Sequence, residues 1–144
     1  MFYFDTSLLI PLLLPEEASD RMELFFHQLS PGAELVVSQW TRVEFASVLS
    51  RLVRMGELKR DIATLCSERF STLLTESLQV VLPGIADFDL CREFLARFNN
   101  SLRAGDALHL AITSNLAVET IFTLDNGMLK DGRLLGLPVD RGTA

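Results

Sequence analysis

The chain has 144 residues, of which 49% are hydrophobic and 22% are charged, and its formal net charge is −6 at pH 7. This length and apolar content predict a single compact domain over residues 1–144 and exclude an intrinsically disordered chain. The longest stretch without Asp, Glu, Lys or Arg, residues 107–118, is too short to span a bilayer. An acidic balance argues against nonspecific coating of nucleic acid, because such binding depends on neutralising phosphates. It still allows an enzyme with one local basic patch.

The chain contains two cysteines, Cys66 and Cys91, and no CxxC pair. This pattern excludes a zinc ribbon or a disulfide scaffold and favours a reducing compartment. The apolar stretch at residues 8–14 follows Asp5 and has no Lys or Arg before it, so we interpret it as part of the folded domain rather than as a signal peptide. We therefore expect a cytoplasmic protein that is not bound to a membrane.

Short apolar runs alternate with stretches of helical periodicity along the chain. The apolar runs predict strands at residues 2–4, 34–38, 78–82, 120–124 and 137–140. The periodic stretches predict helices at about residues 6–15, 16–29, 43–56, 57–75, 86–98 and 104–116, with a short helix or turn after residue 125. We expect Thr6 or Ser7 to cap the first helix. Alternating strands and helices predict a mostly parallel sheet covered on both faces, which is a three-layer α/β/α sandwich.

Four acidic residues come from four separate segments of the chain. Asp5 follows the first strand, Asp125 the fourth, Glu44 lies in the helix after the second, and Asp106 begins the 104–116 helix. The topology brings all four to the edge where ligands of such sheets bind. Each also has a structural explanation: Asp5 as a helix cap, Glu44 as an exposed helix residue, Asp106 as a first-turn acid and Asp125 as the start of an Asp-Asn-Gly turn.

The apolar neighbours of these acids favour a functional site. An acid placed against apolar residues is costly unless it is paired or bound to a metal. Clustered carboxylates repel one another, and Mg²⁺ or Mn²⁺ relieves the repulsion because these ions prefer oxygen ligands. Such a site suits hydrolysis of phosphate esters, since the metal polarises the phosphate and activates a water molecule.

Four motifs, at residues 4–9, 38–45, 102–111 and 122–125, carry a resemblance to a known family. They are Phe-Asp-Thr-Ser-Leu-Leu, Ser-x-x-Thr-x-Val-Glu-Phe, Leu-Arg-Ala-Gly-Asp-Ala-Leu-His-Leu-Ala and Phe-Thr-Leu-Asp. At these motifs the sequence resembles the PIN-domain ribonucleases, and most closely the VapC-type toxins of prokaryotic toxin–antitoxin pairs. The motifs occur in family order and span nearly the whole chain.

The resemblance implies a PIN-like fold and a Mg²⁺- or Mn²⁺-dependent endoribonuclease. In that pattern Asp5 and Asp106 resemble the principal metal ligands, and Glu44 and Asp125 would bind a second metal or orient water. Hydroxyl groups lining the same pocket would come from Thr6, Ser7 and Thr123. The family also implies a cytoplasmic homodimer, a structured RNA substrate such as a tRNA or a ribosomal RNA, and a cognate antitoxin that occupies the active site.

The segment from residue 40 to residue 60 is locally basic, with five Lys and Arg against two Glu. We interpret Arg42, Arg51 and Arg54 as a candidate surface for the RNA backbone, although a solvated helix face explains them equally well. Trp40 could stack on a base, but packing beside the helix start is the more frequent role of a single Trp.

Two further features have competing interpretations. His109 lies three positions after Asp106, so it could transfer protons, but its Leu neighbours favour a buried structural histidine. The run Leu8, Leu9, Ile10, Leu12, Leu13 and Leu14 exceeds what we expect one helix to bury inside so small a domain, which predicts a dimer or antitoxin interface.

A non-catalytic module, either PIN-like or receiver-like, is the alternative to an enzyme. A phospho-receiver needs an Asp after the third strand and a Lys after the fifth. Here residues 82–84 are Leu-Pro-Gly, and Lys59 and Lys130 are misplaced. A phosphatase of the haloacid dehalogenase type needs an acid at position 7, which is Ser7 in this chain. The sequence therefore disfavours a receiver and such a phosphatase, and only activity data separate the nuclease from a PIN-like module that binds its partner without catalysis.

Overall fold

The computed structural model describes residues 1–14 and 18–142, which form one α/β/α sandwich around a parallel sheet. The strands are β1 (Phe2–Phe4), β2 (Leu35–Ser38), β3 (Gln79–Val81), β4 (Thr120–Phe122) and β5 (Val139–Asp140). They pair in the order β3-β2-β1-β4-β5, and every pair is parallel. The predicted three-layer architecture is confirmed.

The helices are α1 (Thr6–Leu13), α2 (Ala18–Gln28), α3 (Gln39–Arg54), α4 (Arg60–Glu76), α5 (Ile85–Leu95), α6 (Ala104–Leu116) and α7 (Asn126–Leu134). The bounds of α6 are those predicted, and of the short helix or turn predicted after Asp125 the structure has the helix, which is nine residues long. The predicted cap of α1 by Thr6 or Ser7 was wrong, whereas the explanation of Asp5 as a helix cap is confirmed, because its carboxylate accepts the backbone N–H of Ser7. Residues 15–17, at the junction of the first two predicted helices, lie outside the described residues.

Side chains of each strand alternate between two cores on opposite faces of the sheet. The core beneath α5, α6 and α7 contains Tyr3, Val36 and Ile121. The core beneath α1 to α4 contains Phe4, Val37 and Phe122. This alternation is the period-2 pattern of a strand covered on both faces.

The leucine run of α1 is buried within this domain. Leu8, Leu9, Leu12 and Leu13 are at most 6% exposed, since α1 lies on the sheet and is flanked by α2, α3 and α4. The expectation that one helix could not bury these four leucines was therefore wrong. Ile10 and Leu14 of the same run are partly exposed, and their part in a dimer or antitoxin interface stays a prediction. Among the described residues, no helix is long and apolar enough to cross a membrane.

The strand order reverses between β1 and β4. From β1 the chain moves outward through β2 and β3, and it then returns to place β4 and β5 on the opposite side of β1. At the carboxyl ends of these two strands, the N–H of Asp5 donates to the carbonyl of Phe122 at 2.9 Å. Parallel sheets bind ligands at such a reversal, so the topology directs attention to Asp5 and its surroundings.

Candidate active site

Asp5 is held rigidly where β1 meets α1. Its Oδ2 accepts hydrogen bonds from the backbone N–H and hydroxyl of Ser7 and from the hydroxyl of Thr123, the last at 2.8 Å. The residue is 3% exposed. Its other oxygen, Oδ1, lies 3.4 Å from Nε2 of His109. One oxygen therefore fixes the orientation of the carboxylate, and the other is left for a ligand.

Glu44 reaches the same place from α3. The helix begins at a capping box, in which Ser38 and Thr41 each bond the other's backbone N–H, and Glu44 follows Thr41 by one turn. Burial alone would raise the pKa of Glu44. The hydrogen bond and charge of His109 outweigh it, with help from Thr6 and Trp40, and hold this pKa below its usual value.

Gly105 allows α6 to begin against this carboxylate. A Cβ at position 105 would lie 2.8 Å from Oε2 of Glu44 and 3.3 Å from the ring of Trp40. Any other residue would force one of these side chains to move, so the glycine permits a close approach that a larger residue would block.

Asp106 is the least compensated acid of the group. It lies half-buried in the first turn of α6. Its burial and the negative charges of Asp125, Asp5 and Glu44 raise its pKa to about 6, against a smaller opposing effect of His109. At neutral pH the pocket therefore holds a carboxylate whose charge is only marginally stable, as expected where a cation is required.

Asp125 caps α7 and remains exposed to solvent. Its Oδ1 accepts the backbone N–H of Met128 at 2.7 Å. Asp125 therefore has a structural role as expected, but as the cap of a helix and not as the start of an Asp-Asn-Gly turn. Asp125 nevertheless lines the same open cavity, of about 620 Å³, as Asp5, Glu44 and Asp106. The structure brings all four predicted acids together.

His109 is fully buried, as expected of a structural histidine, yet it contacts the site directly. Its Nδ1 lies 2.7 Å from the Tyr3 oxygen, and its Nε2 lies 3.2 Å from Oε1 of Glu44. Burial opposes protonation of the ring. The Tyr3 oxygen, the hydrogen bond to Glu44 and the charges of Asp5 and Glu44 oppose that effect, and they raise the pKa of His109. The available sequence signal was the three-residue spacing from Asp106.

The chemistry of the donor set fits a hard divalent cation. Ligand atoms of Asp5, Glu44 and His109 lie within 4.8 Å of one another, and among the described residues this tight group includes neither Asp106 nor Asp125. The hydroxyl of Thr6 is buried and has no hydrogen-bond partner among the residues described. Carboxylates arranged as an open group, with a spare hydroxyl nearby, suit Mg²⁺ or Mn²⁺, since Mg²⁺ retains several waters.

Comparison with known proteins decides the family. The family model of the PIN domain matches residues 2–132. The chain belongs to the PIN-domain family. A search of curated proteins gave no match.

Three solved structures share the fold of this PIN domain. VapC20 from Mycobacterium tuberculosis, a toxin that cleaves the sarcin-ricin loop, is 14% identical, with 92% of this chain and 95% of that chain covered at a TM-score of 0.68. VapBC2 from Rickettsia felis, bound to a promoter DNA fragment, is 14% identical, with 97% of this chain and 98% of that chain covered at a TM-score of 0.69. VapBC-1 from nontypeable Haemophilus influenzae is 19% identical, with 100% of each chain covered at 0.69. At these identities the likeness shows a common fold.

The basic residues of the PIN domain are only partly near its acidic cavity. Arg51 lines the cavity, whereas Arg42 is exposed and donates to Gln39 at 3.0 Å, and neither Arg42 nor Arg54 is among the described lining residues. Arg103, an exposed residue directly before α6, lines the cavity and was missed as a site residue. Its position in the same motif as Asp106 was the signal that could have found it.

The Trp40 side chain packs mainly against its own domain. Its ring is half-buried, contacts the core beneath α5 to α7 and lies against Gly105. Its indole N–H is buried and has no partner among the residues described. The packing role anticipated for a single Trp therefore accounts for most of the side chain, although the residue also lines the cavity.

Proposed function

We propose that this PIN domain is a Mg²⁺- or Mn²⁺-dependent endoribonuclease and the toxin of a toxin–antitoxin pair. The observation that carries the proposal is the convergence of Asp5, Glu44, Asp106 and Asp125 on one open cavity at the reversal of strand order. Membership of the PIN-domain family and the fold shared with VapC structures support it.

The four acids have unequal roles in this proposal. When bound, the divalent cation supplies Lewis acidity toward the phosphate and lowers the pKa of a water molecule. Asp5 and Asp106 are the principal ligands, because one is fixed by three donors and the other lacks compensation. Glu44 completes the set from α3. Asp125 uses Oδ1 for its cap, and its Oδ2 can accept a proton from the attacking water.

Supporting hydroxyls complete the pocket. Ser7 and Thr123 hold Asp5 in one orientation through Oδ2. The unpartnered hydroxyl of Thr6 can donate to a water or to a phosphate oxygen in the cavity. The proposed reaction needs no covalent nucleophile from the protein, because water is the attacking group.

RNA contacts come from two cations, each of which lies near one of the acids in the sequence. Arg51 follows Glu44 by two turns of α3, and Arg103 precedes Asp106. Each can bind a phosphate next to the scissile one, which offsets the repulsion expected from a chain with a net charge of −6. The class of RNA is also part of the proposal: VapC20 cleaves the sarcin-ricin loop, and we expect a structured RNA as the substrate here as well.

The proposed antitoxin occupies the same cavity. Its wall carries apolar side chains from α1 and α3, namely Ile10, Pro11, Val43, Val48 and Leu52. A peptide that buries apolar residues on this wall and extends a cation to the acids would block the metal ligands. The VapBC structures support such a partner. We further propose a cytoplasmic homodimer, as the family resemblance implies.

A receiver-like binding module is the weaker candidate. Receiver folds have the strand order 2-1-3-4-5, whereas this sheet has the order 3-2-1-4-5. A PIN-like domain without catalytic activity is the remaining alternative, and it is a direct outcome of the activity test.

The test is cleavage of total cellular RNA by purified, antitoxin-free protein. We expect discrete fragments with Mg²⁺ or Mn²⁺, none with EDTA, and recovery when the metal is restored. Asp5→Asn and Asp106→Asn should abolish the fragments. The control is Asp89→Asn, which removes the same charge at an exposed position of α5, and this variant should cleave RNA normally. Absence of cleavage by folded wild-type protein across both metals and many RNAs would support the non-catalytic alternative.

A further inference from the structure

A buried chain of hydrogen bonds lies behind the acidic cavity. The Tyr3 hydroxyl donates to Oγ of Ser38 at 3.0 Å, and its oxygen lies 2.7 Å from Nδ1 of His109. Nε2 of His109 lies 3.2 Å from Oε1 of Glu44. Tyr3, Ser38 and His109 are 0% exposed. The chain therefore links β1, the start of α3 and α6 to one carboxylate of the site.

Glu44 depends on this chain more than Asp5 does. Asp5 already receives three hydrogen bonds from Ser7 and Thr123, and its 3.4 Å contact with Nε2 is an additional charge contact. Among the described residues, His109 is the one hydrogen-bond partner that meets geometric criteria for the Glu44 side chain. Without His109, the Glu44 carboxylate would keep only the weaker support of Thr6 and Trp40.

The contact has a defined donor. An ionised carboxylate only accepts, so Nε2 carries the hydrogen in the contact with Glu44. Nδ1 faces the Tyr3 oxygen, whose own hydrogen is directed at Ser38. Because Ser38 also caps α3, the ring is held by the same group that begins the helix carrying Glu44. Both ends of the contact are thus anchored to one local structure.

We propose that His109 is a positioning residue that fixes the Glu44 carboxylate for metal binding, with Tyr3 setting the orientation of the imidazole ring. The inference rests on the proposed function for the identity of the metal site, and on hydrogen-bond geometry for the role of His109. Groups that orient metal ligands in this way commonly change metal affinity by about 10- to 100-fold when they are removed.

The first measurement is Mg²⁺ binding by calorimetry, without RNA. His109→Leu fills similar space without a donor, and we expect its Kd for Mg²⁺ to rise about 10- to 100-fold. His109→Gln keeps an amide donor and should recover part of the affinity. Tyr3→Phe keeps the ring and removes the oxygen behind Nδ1, so a weakening of about 3- to 10-fold is expected. This third variant carries the test if His109→Leu does not fold.

The second measurement is a double-mutant cycle on thermal unfolding in EDTA. We expect Glu44→Gln to lower the Tm of the wild type, because it weakens the pair with His109. In the His109→Leu background the same change should raise the Tm, since it removes a partly buried and unpaired carboxylate. Equal shifts in both backgrounds would overturn the proposal.

Unchanged Mg²⁺ affinity in His109→Leu and Tyr3→Phe would also overturn it, as would a wild-type protein that binds no Mg²⁺. Failure of the proposed nuclease is distinguishable. If the wild type binds Mg²⁺ with the expected dependence on His109 but cuts no RNA, only the proposed nuclease activity is contradicted. If the protein is an active nuclease but substitution of His109 leaves its Mg²⁺ affinity unchanged, only the positioning role is contradicted.

Discussion

The starts of α1 and α6 place an aspartate at the same edge of the sheet, but they treat its charge in opposite ways. At α1, Asp5 caps the helix and receives hydrogen bonds from Ser7 and Thr123. At α6, Asp106 makes no cap, and burial together with the charges of three neighbouring acids raises its pKa to about 6. The fold therefore fixes Asp5 in position, whereas the negative charges of its neighbours repel Asp106, and a bound cation would relieve this repulsion. This difference teaches that the fold alone stabilises only part of its proposed metal site.

The largest expected effect is the loss of activity on removing either charge. Asp5→Asn and Asp106→Asn should each lower the rate of RNA cleavage at saturating Mg²⁺ by about 10²- to 10³-fold or more, because both remove a principal ligand. Cleavage of a radiolabelled RNA by matched amounts of folded protein measures the effect. Near-normal activity in either variant would show that the acid is structural only.

Loosening Asp5 should have the next largest effect. Thr123→Val removes the hydroxyl that donates to Oδ2 at 2.8 Å while keeping the side-chain shape. We expect a loss of about 10-fold or more in cleavage rate, with little change in RNA binding, since the support of a ligand is lost. Thr72→Val, on the exposed face of α4, is the matched control. Equal behaviour of the two variants would mean that Asp5 needs no support from Thr123.

Arg103 and Arg51 should affect RNA binding more than chemistry. Arg103→Ala and Arg51→Ala should raise KM several-fold, by about 3- to 10-fold each, and should reduce the dependence of binding on salt. The control is Arg54→Ala. Arg54 lies on the same helix as Arg51 but is not among the residues that line the cavity, so this variant should bind RNA normally. A kcat effect with unchanged KM would contradict a phosphate-binding role.

The smallest effect has the opposite sign for the two aspartates. Asp106 has a folded-state pKa of about 6 against an ordinary value of 3.8, so its ionisation costs stability, and this cost is complete above pH 6. Asp106→Asn should therefore raise the Tm in EDTA at pH 7.5 by about 2–5 °C. The gain should shrink as the pH falls through 6 toward 3.8.

Asp5→Asn should lower the Tm under the same conditions, because an amide nitrogen would face donors that need an acceptor. Scanning calorimetry of both variants at two pH values tests the contrast. Shifts of the same sign would contradict the difference between the two helix starts.

Local patterns carried most of the fold and the core of the site. Helix α6 has the predicted bounds because apolar residues on most of its circumference specify a buried helix. Three of the acids were found because Asp5 and Asp125 follow strands and Asp106 begins a helix at the edge that the topology fixes, and Glu44 because its helix starts at that edge. By contrast, the sequence did not decide which of Asp5, Thr6 and Ser7 caps α1, because the cap depends on the orientation of one side chain. The burial of the leucines in α1 depends on three helices that pack around it.

The roles of His109 and Arg103 also required the tertiary structure. The contacts of His109 with Tyr3 and Glu44 join residues separated by 106 and 65 positions, which no local pattern relates. Arg103 is an ordinary exposed residue until the cavity beside it is known. Contacts between distant segments thus account for what sequence reasoning missed.

The most direct test of the central claim is the source of the oxygen added when RNA is cut. Cleavage by wild-type protein with Mg²⁺ in ¹⁸O-labelled water should place one labelled oxygen in the terminal phosphate of the product, and EDTA should stop the reaction. This result is expected because the acids of the cavity activate water for attack on phosphorus. Products that end in a 2′,3′-cyclic phosphate, or cleavage that persists in EDTA, would contradict the account.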